Sequence, residues 1–483
     1  MKVLLVNPYF GNLVYAPTLG LAYLATYIKE QSGCEVEVHE PVNNFLNERE
    51  LLEKVKQADY LGLVCYTESR FLCFDFAEKA KKANPHCKIV VGGTHATVLD
   101  KEILKHYQFI DYVVRMEGET ALLAVIKGEP LDQIPNLTWR SGDNIVRNPD
   151  KCLRGTIDQF HIDYSLIWPE IHQWKDDEIP HYLKKLKHLP IIASRGCPFQ
   201  CAFCAAHRQW LGTWRGEDPE KLVNRMKQLV EKYGIGYFRF YDALFIGNEK
   251  YAYEFCEQIE KQGLNVKFRI DIRAGTSTKV LKRLKEAGCE IIGYGIESGS
   301  ERILKRINKK TTRAKVVETL EVCRSLGYWV VGFFMMSLPD ETWDDFQQTR
   351  ELIRYFDVFN LQFFKIHPNT SFYDELTARG EINDDVWFDK RHSSEIFYSK
   401  EQFPSANFYR SDIYPIEKSI YHWYKLRKPL ITLRKDGFGK GAGTLLISLL
   451  QLLMMSNPMT DNLLDKIKQS GLGRIMRSRK FMK

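Results

Sequence analysis

This sequence lacks three features: cysteines spaced as disulfide pairs, a long hydrophobic run, and a strong excess of one charge. Three of its 11 cysteines lie in one short stretch, and the other eight are scattered singly. An odd number without paired spacing excludes a disulfide framework and suits a reducing cytosol with one metal site. The longest late apolar run, residues 445–455, is interrupted by Ser448 and Gln451 and is too short to span a bilayer.

A signal-peptide pattern is also absent, because Met1-Lys2 leads directly into the strand-like residues 3–6. The formal net charge of +8 is modest for 483 residues, so it fits anionic ligands and solvated lysine-rich helix faces equally well. A nucleic-acid partner is therefore not expected. Together these absences predict a soluble, cytoplasmic chain without a transmembrane segment.

Three clustered cysteines stand near the middle of the chain. Cys197, Cys201 and Cys204 have the spacing C-x3-C-x2-C and follow the apolar run 189–193. That run predicts a buried strand, so the thiols would lie at the strand's carboxyl end, where active sites of parallel α/β folds gather. The spacing favours an iron–sulfur cluster with one iron left without a protein ligand. A zinc ion held by the three thiolates and His207 is the alternative.

Residues 1–135 are predicted to form an α/β domain. Five short apolar strands alternate with helices at the spacing of βαβ units, which predicts a doubly wound parallel sheet of flavodoxin-like type. Ligands of such sheets bind outside the carboxyl ends of the strands. The candidate ligand-binding residues at that edge are Tyr66, Thr67, Gly92, Gly93, His95, Glu117, Gly118, Glu119 and Thr120. Taken singly, a turn glycine, a surface histidine or a helix cap would explain each of them.

The rest of the chain divides into three predicted parts. Residues 136–187 form a connector with a small hairpin, whose later part either covers a site as a lid or bridges two domains. Residues 188–372 contain six strand–helix repeats, which predicts a partial barrel of the TIM type with a lateral gap. Residues 373–483 form a mainly helical C-terminal extension, and its basic end is interpreted as a solvated tail.

Polar side chains also follow the predicted barrel strands. Asp242, Arg273, Glu297 and Ser298 all stand just after such a strand. Carboxylates suit an ammonium group and arginine suits a carboxylate, so these residues are candidates to hold a zwitterionic cofactor. A helix cap or a structural ion pair would explain each one singly.

The cysteine loop resembles the radical S-adenosylmethionine (SAM) superfamily. Phe203 precedes the last cysteine, and the flanking Ser-Arg-Gly-Cys-Pro matches the subgroup with an N-terminal cobalamin-binding domain. Supporting matches lie at residues 17–21, 91–96, 117–120, 295–299 and 338–342. The resemblance spans roughly residues 1–375.

This resemblance implies that the three cysteines hold a 4Fe-4S cluster whose unique iron binds SAM. The residues implied to contact SAM are Phe203, Asp242, Arg273, Glu297 and Ser298. Reductive cleavage of SAM would give a 5′-deoxyadenosyl radical that abstracts hydrogen from the substrate. The electron would come from a donor such as flavodoxin or ferredoxin.

Cobalamin is implied to lie across the strand ends of the first domain, facing the barrel. In related methylases, the substrate radical captures a methyl group from cobalt. Two departures stand out. The first domain lacks the Asp-x-His-x-x-Gly signature, and its similarly placed loop is residues 66–71, so that motif supplies no histidine to cobalt. An acidic pair is common after the second barrel strand, but here Asp242 is followed by Ala243.

We therefore expect a cobalamin-dependent radical SAM methyltransferase that acts on an unactivated carbon of a small-molecule or lipid-like substrate. The first alternative is radical chemistry without methylation, such as dehydrogenation, deoxygenation, cyclisation or carbon–carbon coupling, with cobalamin absent or in another role. The second alternative is a zinc-stabilised, mildly basic binding protein, for instance for RNA. The open barrel fits a bulky apolar substrate such as a lipid, terpenoid or tetrapyrrole, and fits a sugar or peptide nearly as well.

Overall fold

The computed structural model describes residues 1–8, 17–40, 47–167, 176, 178–391 and 395–412. Two sheets organise this part of the chain, one with seven strands and one with six. The predicted features after residue 412, including the apolar run and the basic end, lie outside the described residues. None of the helices in the described part combines the length and the apolar character that crossing a membrane requires.

The first sheet consists of five parallel strands and a hairpin. The parallel strands are β1 (Lys2–Val6), β2 (Glu35–His39), β3 (Tyr60–Val64), β4 (Lys88–Gly92) and β5 (Tyr112–Val114). The antiparallel strands β6 (Leu137–Ser141) and β7 (Asn144–Arg147) extend the sheet beyond β5, in the order β2-β1-β3-β4-β5-β6-β7. The predicted doubly wound parallel sheet is confirmed, and the hairpin assigned to the connector joins it.

Helices cover both faces of this sheet. They are α1 (Leu19–Ser32), α2 (Glu48–Val55), α3 (Arg70–Ala83), α4 (Thr94–Val98), α5 (Asp100–His106) and α6 (Glu119–Ile126). In β1, Val3 and Leu5 pack in one core cluster and Leu4 and Val6 in the other, because successive side chains point to opposite faces. Burial on both faces explains why β1, β3 and β4 are nearly continuous apolar runs in the sequence, whereas the edge strand β2 alternates polar and apolar residues.

The second sheet forms the partial barrel. Strand β8 (Lys187–Ile191) begins it, and a short antiparallel pair, β9 (Ser194–Gly196) and β10 (Trp214–Gly216), follows along the chain. The other parallel strands are β11 (Ile235–Phe240), β12 (Lys267–Ile272), β13 (Cys289–Glu297), β14 (Trp329–Met336) and β15 (Val358–Phe363). These five and β8 lie in chain order across the sheet, which confirms the predicted six-stranded partial barrel.

The helices of this half follow the strands in turn. They are α7 (Ala206–Gln209), α8 (Pro219–Tyr233), α9 (Glu249–Lys261), α10 (Thr278–Glu286), α11 (Glu301–Arg306), α12 (Arg313–Ser325), α13 (Trp343–Ile353) and α14 (Ser371–Ala378). Asp218 caps α8 as predicted, since its side chain accepts hydrogen bonds from the backbone N–H groups of Glu220 and Lys221. Pro219 occupies the first turn of that helix, where its missing N–H is not needed.

The last described part of the connector, residues 178–186, fills the amino-terminal end of the barrel. Ile179 and Leu183 pack against Tyr237, Ile291 and Val331, which lie near the starts of β11, β13 and β14. This part of the connector therefore closes the end of the barrel opposite the cysteine loop. The sequence alone left two possibilities for this part of the connector: a lid that covers the site, or a bridge between two domains.

Candidate active site

The cysteine loop begins in the short strand pair and not directly at the barrel strand. β8 ends at Ile191, before the end of the predicted strand 189–193, and β9 then pairs with β10. Asp242 accepts hydrogen bonds from the Ala193 N–H (3.1 Å) and the Ser194 hydroxyl (2.5 Å), which draws the chain away from β8. Gly196 enters the loop at φ 93°, and a Cβ there would overlap the Thr213 carbonyl oxygen. Only glycine therefore fits at this position.

Two cations lie beside the thiols of the loop. Cys201 is buried, and Cys197 and Cys204 are partly buried. Arg273 donates a hydrogen bond to Sγ of Cys201 at 3.6 Å. Burial raises the pKa of the Cys197 and Cys204 thiols, and the charge of Lys309 opposes that rise in both. Because metal binding requires the thiolate form, these cations suit a soft-metal site.

His207 uses its ring nitrogens within the loop. Its Nδ1 lies 3.2 Å from the Pro198 carbonyl oxygen, and its Nε2 lies 3.2 Å from Nε2 of Gln200. Within the described ranges, no three His, Cys, Asp or Glu side chains converge closely enough to hold one metal ion. The two ring nitrogens of His207 therefore support the shape of the loop.

Lys309 brings the predicted site residues Arg273, Glu297 and Phe203 together around the cysteine loop. Its Nζ lies 2.7 Å from Oε1 of Glu297 and 5.7 Å from the ring centroid of Phe203. Arg273 donates a hydrogen bond to the Lys309 carbonyl oxygen, and its guanidinium lies 3.7 Å from the ring centroid of Phe199. Lys309 lies in the turn between α11 and α12, where no strand end precedes it, so its sequence context carries no signal of this role.

Asp242 and Ser298 hold the backbone near the site. The Asp242 carboxylate is buried beneath the start of the cysteine segment, and burial raises its pKa to about 7. Ser298 is fully buried, with its hydroxyl 3.1 Å from Oγ1 of Thr349, and it also accepts a hydrogen bond from the Ser300 N–H. Direct contact of Asp242 or Ser298 with a cofactor stays a prediction.

A cavity of about 340 Å³ lies between the first sheet and the barrel. The predicted edge residues that line it are Tyr66, Gly92, Gly93, Glu117, Gly118 and Glu119. Lining residues from the barrel side are Ile192, Ser194, Arg195, Gly196, Tyr241 and Ala243. The cavity therefore joins the carboxyl edge of the first sheet to the segment that leads into the cysteine loop.

Three of the predicted edge residues, Thr67, His95 and Thr120, do not line this cavity. His95 is completely buried, with Nδ1 3.2 Å from Oγ1 of Thr67 and its ring centroid 6.0 Å from that of Trp387. Burial lowers the pKa of His95 to about 3, so its ring is neutral. α4 begins at Thr94 and turns the next side chain into the core, whereas Thr120 is exposed on the first turn of α6. In contrast to the prediction, all three lie away from the cavity.

Arg195 joins the cysteine segment to the first domain. Its guanidinium binds Oε2 of Glu117 at 2.7 Å and Oε1 of Glu119 at 2.6 Å. Arg215 from β10 also pairs with Glu117, and all four side chains are nearly or completely buried. The guanidinium of Arg195 lies 4.7 Å from the ring centroid of Tyr23. The sequence motif contained Arg195, but its partners become visible only in the folded chain.

Two family models match the chain. Residues 13–126 match the B12 binding domain, and residues 191–353 match the radical SAM superfamily. The chain belongs to the radical SAM superfamily and carries a B12-binding domain. Because the radical SAM match contains the whole cysteine loop, the alternative of a zinc-stabilised binding protein is wrong.

Relatives of this radical SAM enzyme include methylases and cyclases. An uncharacterized methyltransferase of Pyrococcus horikoshii is 29% identical over 75% of this chain and 80% of that protein. An anaerobic magnesium-protoporphyrin IX monomethyl ester cyclase of Cereibacter sphaeroides is 28% identical over 80% of this chain and 65% of its own length. A hopanoid C-3 methylase of Methylococcus capsulatus is 25% identical over 66% of this chain and 61% of its own length.

Two solved radical SAM proteins share the two-domain fold. The methyltransferase TsrM from Kitasatospora setae, solved with tryptophan substrate and a SAM analogue, has a TM-score of 0.67 at 14% identity, over 86% of this chain and 87% of that one. The cobalamin-dependent radical enzyme OxsB, solved with aqua-cobalamin and SAM, has a TM-score of 0.68 at 17% identity, over 97% of this chain and 75% of that one.

The radical SAM and B12-binding matches assign a 4Fe-4S cluster, SAM and cobalamin to this enzyme as cofactors. The three thiols beside Arg273 and Lys309 fit the cluster, since cations stabilise thiolates. The cavity fits a broad, flat group such as cobalamin because Gly62, Gly92 and Gly93 expose backbone along its wall. Among the described residues that line it there is no histidine, in agreement with the missing histidine motif.

Proposed function

We propose that this enzyme methylates an unactivated carbon of a small-molecule or lipid-like substrate in a cobalamin-dependent reaction. The observation that carries the proposal is the cavity, because residues of the B12-binding domain and residues beside the cysteine loop form its opposite walls. When bound, the cluster supplies the electron that cleaves SAM, and cobalamin supplies the methyl group.

Each part of the chain has a defined task in this proposal. Cys197, Cys201 and Cys204 hold the cluster, and Arg273 and Lys309 keep its surroundings positively charged. Cations near a cluster favour its reduced, more negative state, because the potential of such clusters depends on local charge and hydrogen bonds. The mainly apolar lining of the cavity makes water unfavourable between the two walls, which would limit side reactions of a radical.

The cavity and the relatives both support a particular substrate class. The apolar residues of the lining include Leu21, Leu24, Val64, Val114, Leu122 and Ile192. The names of two relatives specify a magnesium porphyrin ester and a hopanoid, which are both bulky and largely apolar. We infer a substrate of that chemical kind, since an apolar wall binds apolar surface by removing it from water.

Anaerobic reconstitution with iron, sulfide and cobalamin tests the proposal. A porphyrin ester and a hopanoid hydrocarbon, supplied separately with SAM and a reductant, serve as the probes. Methyl transfer predicts that 5′-deoxyadenosine and S-adenosylhomocysteine accumulate together with a methylated product. If protein that contains stoichiometric cobalamin forms 5′-deoxyadenosine but no methylated product, the proposal is wrong.

Radical chemistry without methyl transfer is the second candidate. The observation in its favour is the cyclase relative, which is 28% identical over 80% of this chain. The same assay separates the two candidates, because ring closure or dehydrogenation yields 5′-deoxyadenosine and an oxidised product but no S-adenosylhomocysteine.

A further inference from the structure

The turn between α11 and α12 covers the cysteine loop from outside. The Ala202 N–H donates a hydrogen bond to the Ile307 carbonyl oxygen at 2.9 Å. The Asn308 side chain donates another to the Gln200 carbonyl oxygen at 2.7 Å. Since Ala202 follows Cys201 directly, one layer of backbone lies between the turn and the thiols.

Backbone strain sets the direction of two successive lysines in this turn. Asn308 has φ 54° and Lys310 has φ 55°, both in the left-handed region that residues other than glycine rarely adopt. Lys309, which stands between Asn308 and Lys310, points inward, is only 6% exposed and pairs with Glu297. Lys310 is exposed on the outer side. Strain of this kind collects at functional sites, and here it directs one cation to the cluster side and one to the surface.

The outer side of the turn forms part of a positively charged cleft of about 770 Å³. Lys305 from α11, Lys310 from the turn and Lys315 from α12 line it and are exposed. Within the part of the chain that the structure describes, these three lysines have no ion-pair partner. Two other charged residues line the cleft: Glu301 accepts a hydrogen bond from the Arg313 N–H, and Arg302 pairs with an aspartate of α13.

We propose that this cleft is the docking surface for an acidic one-electron donor protein of the flavin class. The donor loses one electron and the cluster gains it, with no bond formed or broken. The proposal rests on the proposed function, because it requires a reducible cluster at the cysteine loop. Charge complementarity would steer the donor to the face where the cysteine loop is covered by a single turn, and redox encounters of this kind are small and transient.

Stopped-flow reduction of the full holoenzyme tests the docking surface. The variant K305E/K310E/K315E reverses the three charges, and the control K227E/K261E/K279E makes the same change on α8, α9 and α10, the outer helices of the barrel. Flavodoxin hydroquinone is the protein donor, and photoreduced 5-deazariboflavin is an uncharged small reductant. At low salt we expect the rate at which flavodoxin reduces the cluster to be at least about tenfold lower in the first variant than in the wild type. At high salt this difference in rate should shrink.

Deazariboflavin should reduce the wild type and both variants at the same rate, because it needs no docking surface. Wild-type rates with flavodoxin in the cleft variant would overturn the docking proposal, and so would an equal loss in the control variant. A wild-type cluster that deazariboflavin cannot reduce would instead overturn the proposed function itself.

Discussion

The guanidinium of Arg195 lies 2.7 Å from the Glu117 carboxylate in a buried ion pair that joins the two domains. Arg195 stands two residues before the first cysteine of the cluster loop, and Glu117 follows the last parallel strand of the first sheet. The position of the cluster loop relative to the B12-binding edge therefore depends on this pair. Separating the two buried charges would cost free energy, because each would be left without its partner. The pair therefore favours one position of the cysteine loop relative to the loop that carries Glu117.

Replacement of Arg195 should weaken both folding and cobalamin binding. Arg195→Met leaves Glu117 and Glu119 buried with less compensation, so we expect the free energy of unfolding to fall by about 3–5 kcal/mol. Chemical denaturation of the cofactor-free protein measures that loss, and the corrinoid absorbance of reconstituted protein measures cobalamin. Arg154→Met, at an exposed position, is the control. Unchanged stability and cobalamin content in the Arg195 variant would contradict the role of the pair.

A side chain at Gly93 should block the B12-binding edge. Gly93 has φ 99°, and a Cβ there would lie 2.8 Å from the Cys65 carbonyl oxygen, so Gly93→Val must displace the wall of the cavity. We expect cobalamin content to fall several-fold while iron content stays at the wild-type level. Gly20→Ala is the matched control, since Gly20 also lines the cavity but its Cβ would meet no atom within 4 Å. Full cobalamin content in Gly93→Val would argue against this wall as the binding surface.

Asp242 should make stability depend on pH. Burial raises its folded-state pKa from 3.8 to about 7, so between these values the unfolded chain releases a proton that the folded chain keeps. Its stabilising contribution is thus fully present below pH 3.8 and is lost as pH rises towards 7, by up to about 4 kcal/mol. Denaturant unfolding at pH 5 and pH 7.5 should show a steeper decline for wild type than for Asp242→Asn. Equal declines would show that the carboxyl group does not titrate in this window.

Iron content should separate the cluster cysteines from His207. Cys204→Ala removes one thiolate ligand, and we expect it to abolish the visible absorbance of the cluster after anaerobic reconstitution. His207→Ala removes only hydrogen bonds within the loop, so most of the iron should remain. Loss of iron from the His207 variant as complete as that from the Cys204 variant would show that His207 is a metal ligand.

The two sheets and one wall of the cavity could be predicted from local sequence patterns. Alternating strand and helix signals determine a parallel α/β fold, and the loops after parallel strands must meet at one edge, as Tyr66, Gly92 and Glu117 do. His95 was assigned to the same edge, but the start of α4 turns it into the core. Sequence spacing places a residue at an edge without fixing the direction of its side chain.

Arg195 and Lys309 show what the sequence could not reveal. The partners of Arg195 lie 78 and 76 positions away in the chain, so the pairing depends on how the two domains pack. Lys309 stands in the run Asn308-Lys309-Lys310, which resembles a solvated turn. Its inward direction arises from the positive φ values on either side, and tertiary contacts with the cysteine loop hold that conformation.

Transfer of an isotopically labelled methyl group tests the central claim most directly. The reconstituted holoenzyme, supplied with SAM that carries a deuterated methyl group, is incubated with the porphyrin ester or the hopanoid, and the product is analysed by mass spectrometry. A bulky apolar product that contains the labelled methyl group, formed only when both cobalamin and the cluster are present, is the predicted result. A product without the label, or labelled product from protein free of cobalamin, would contradict the account.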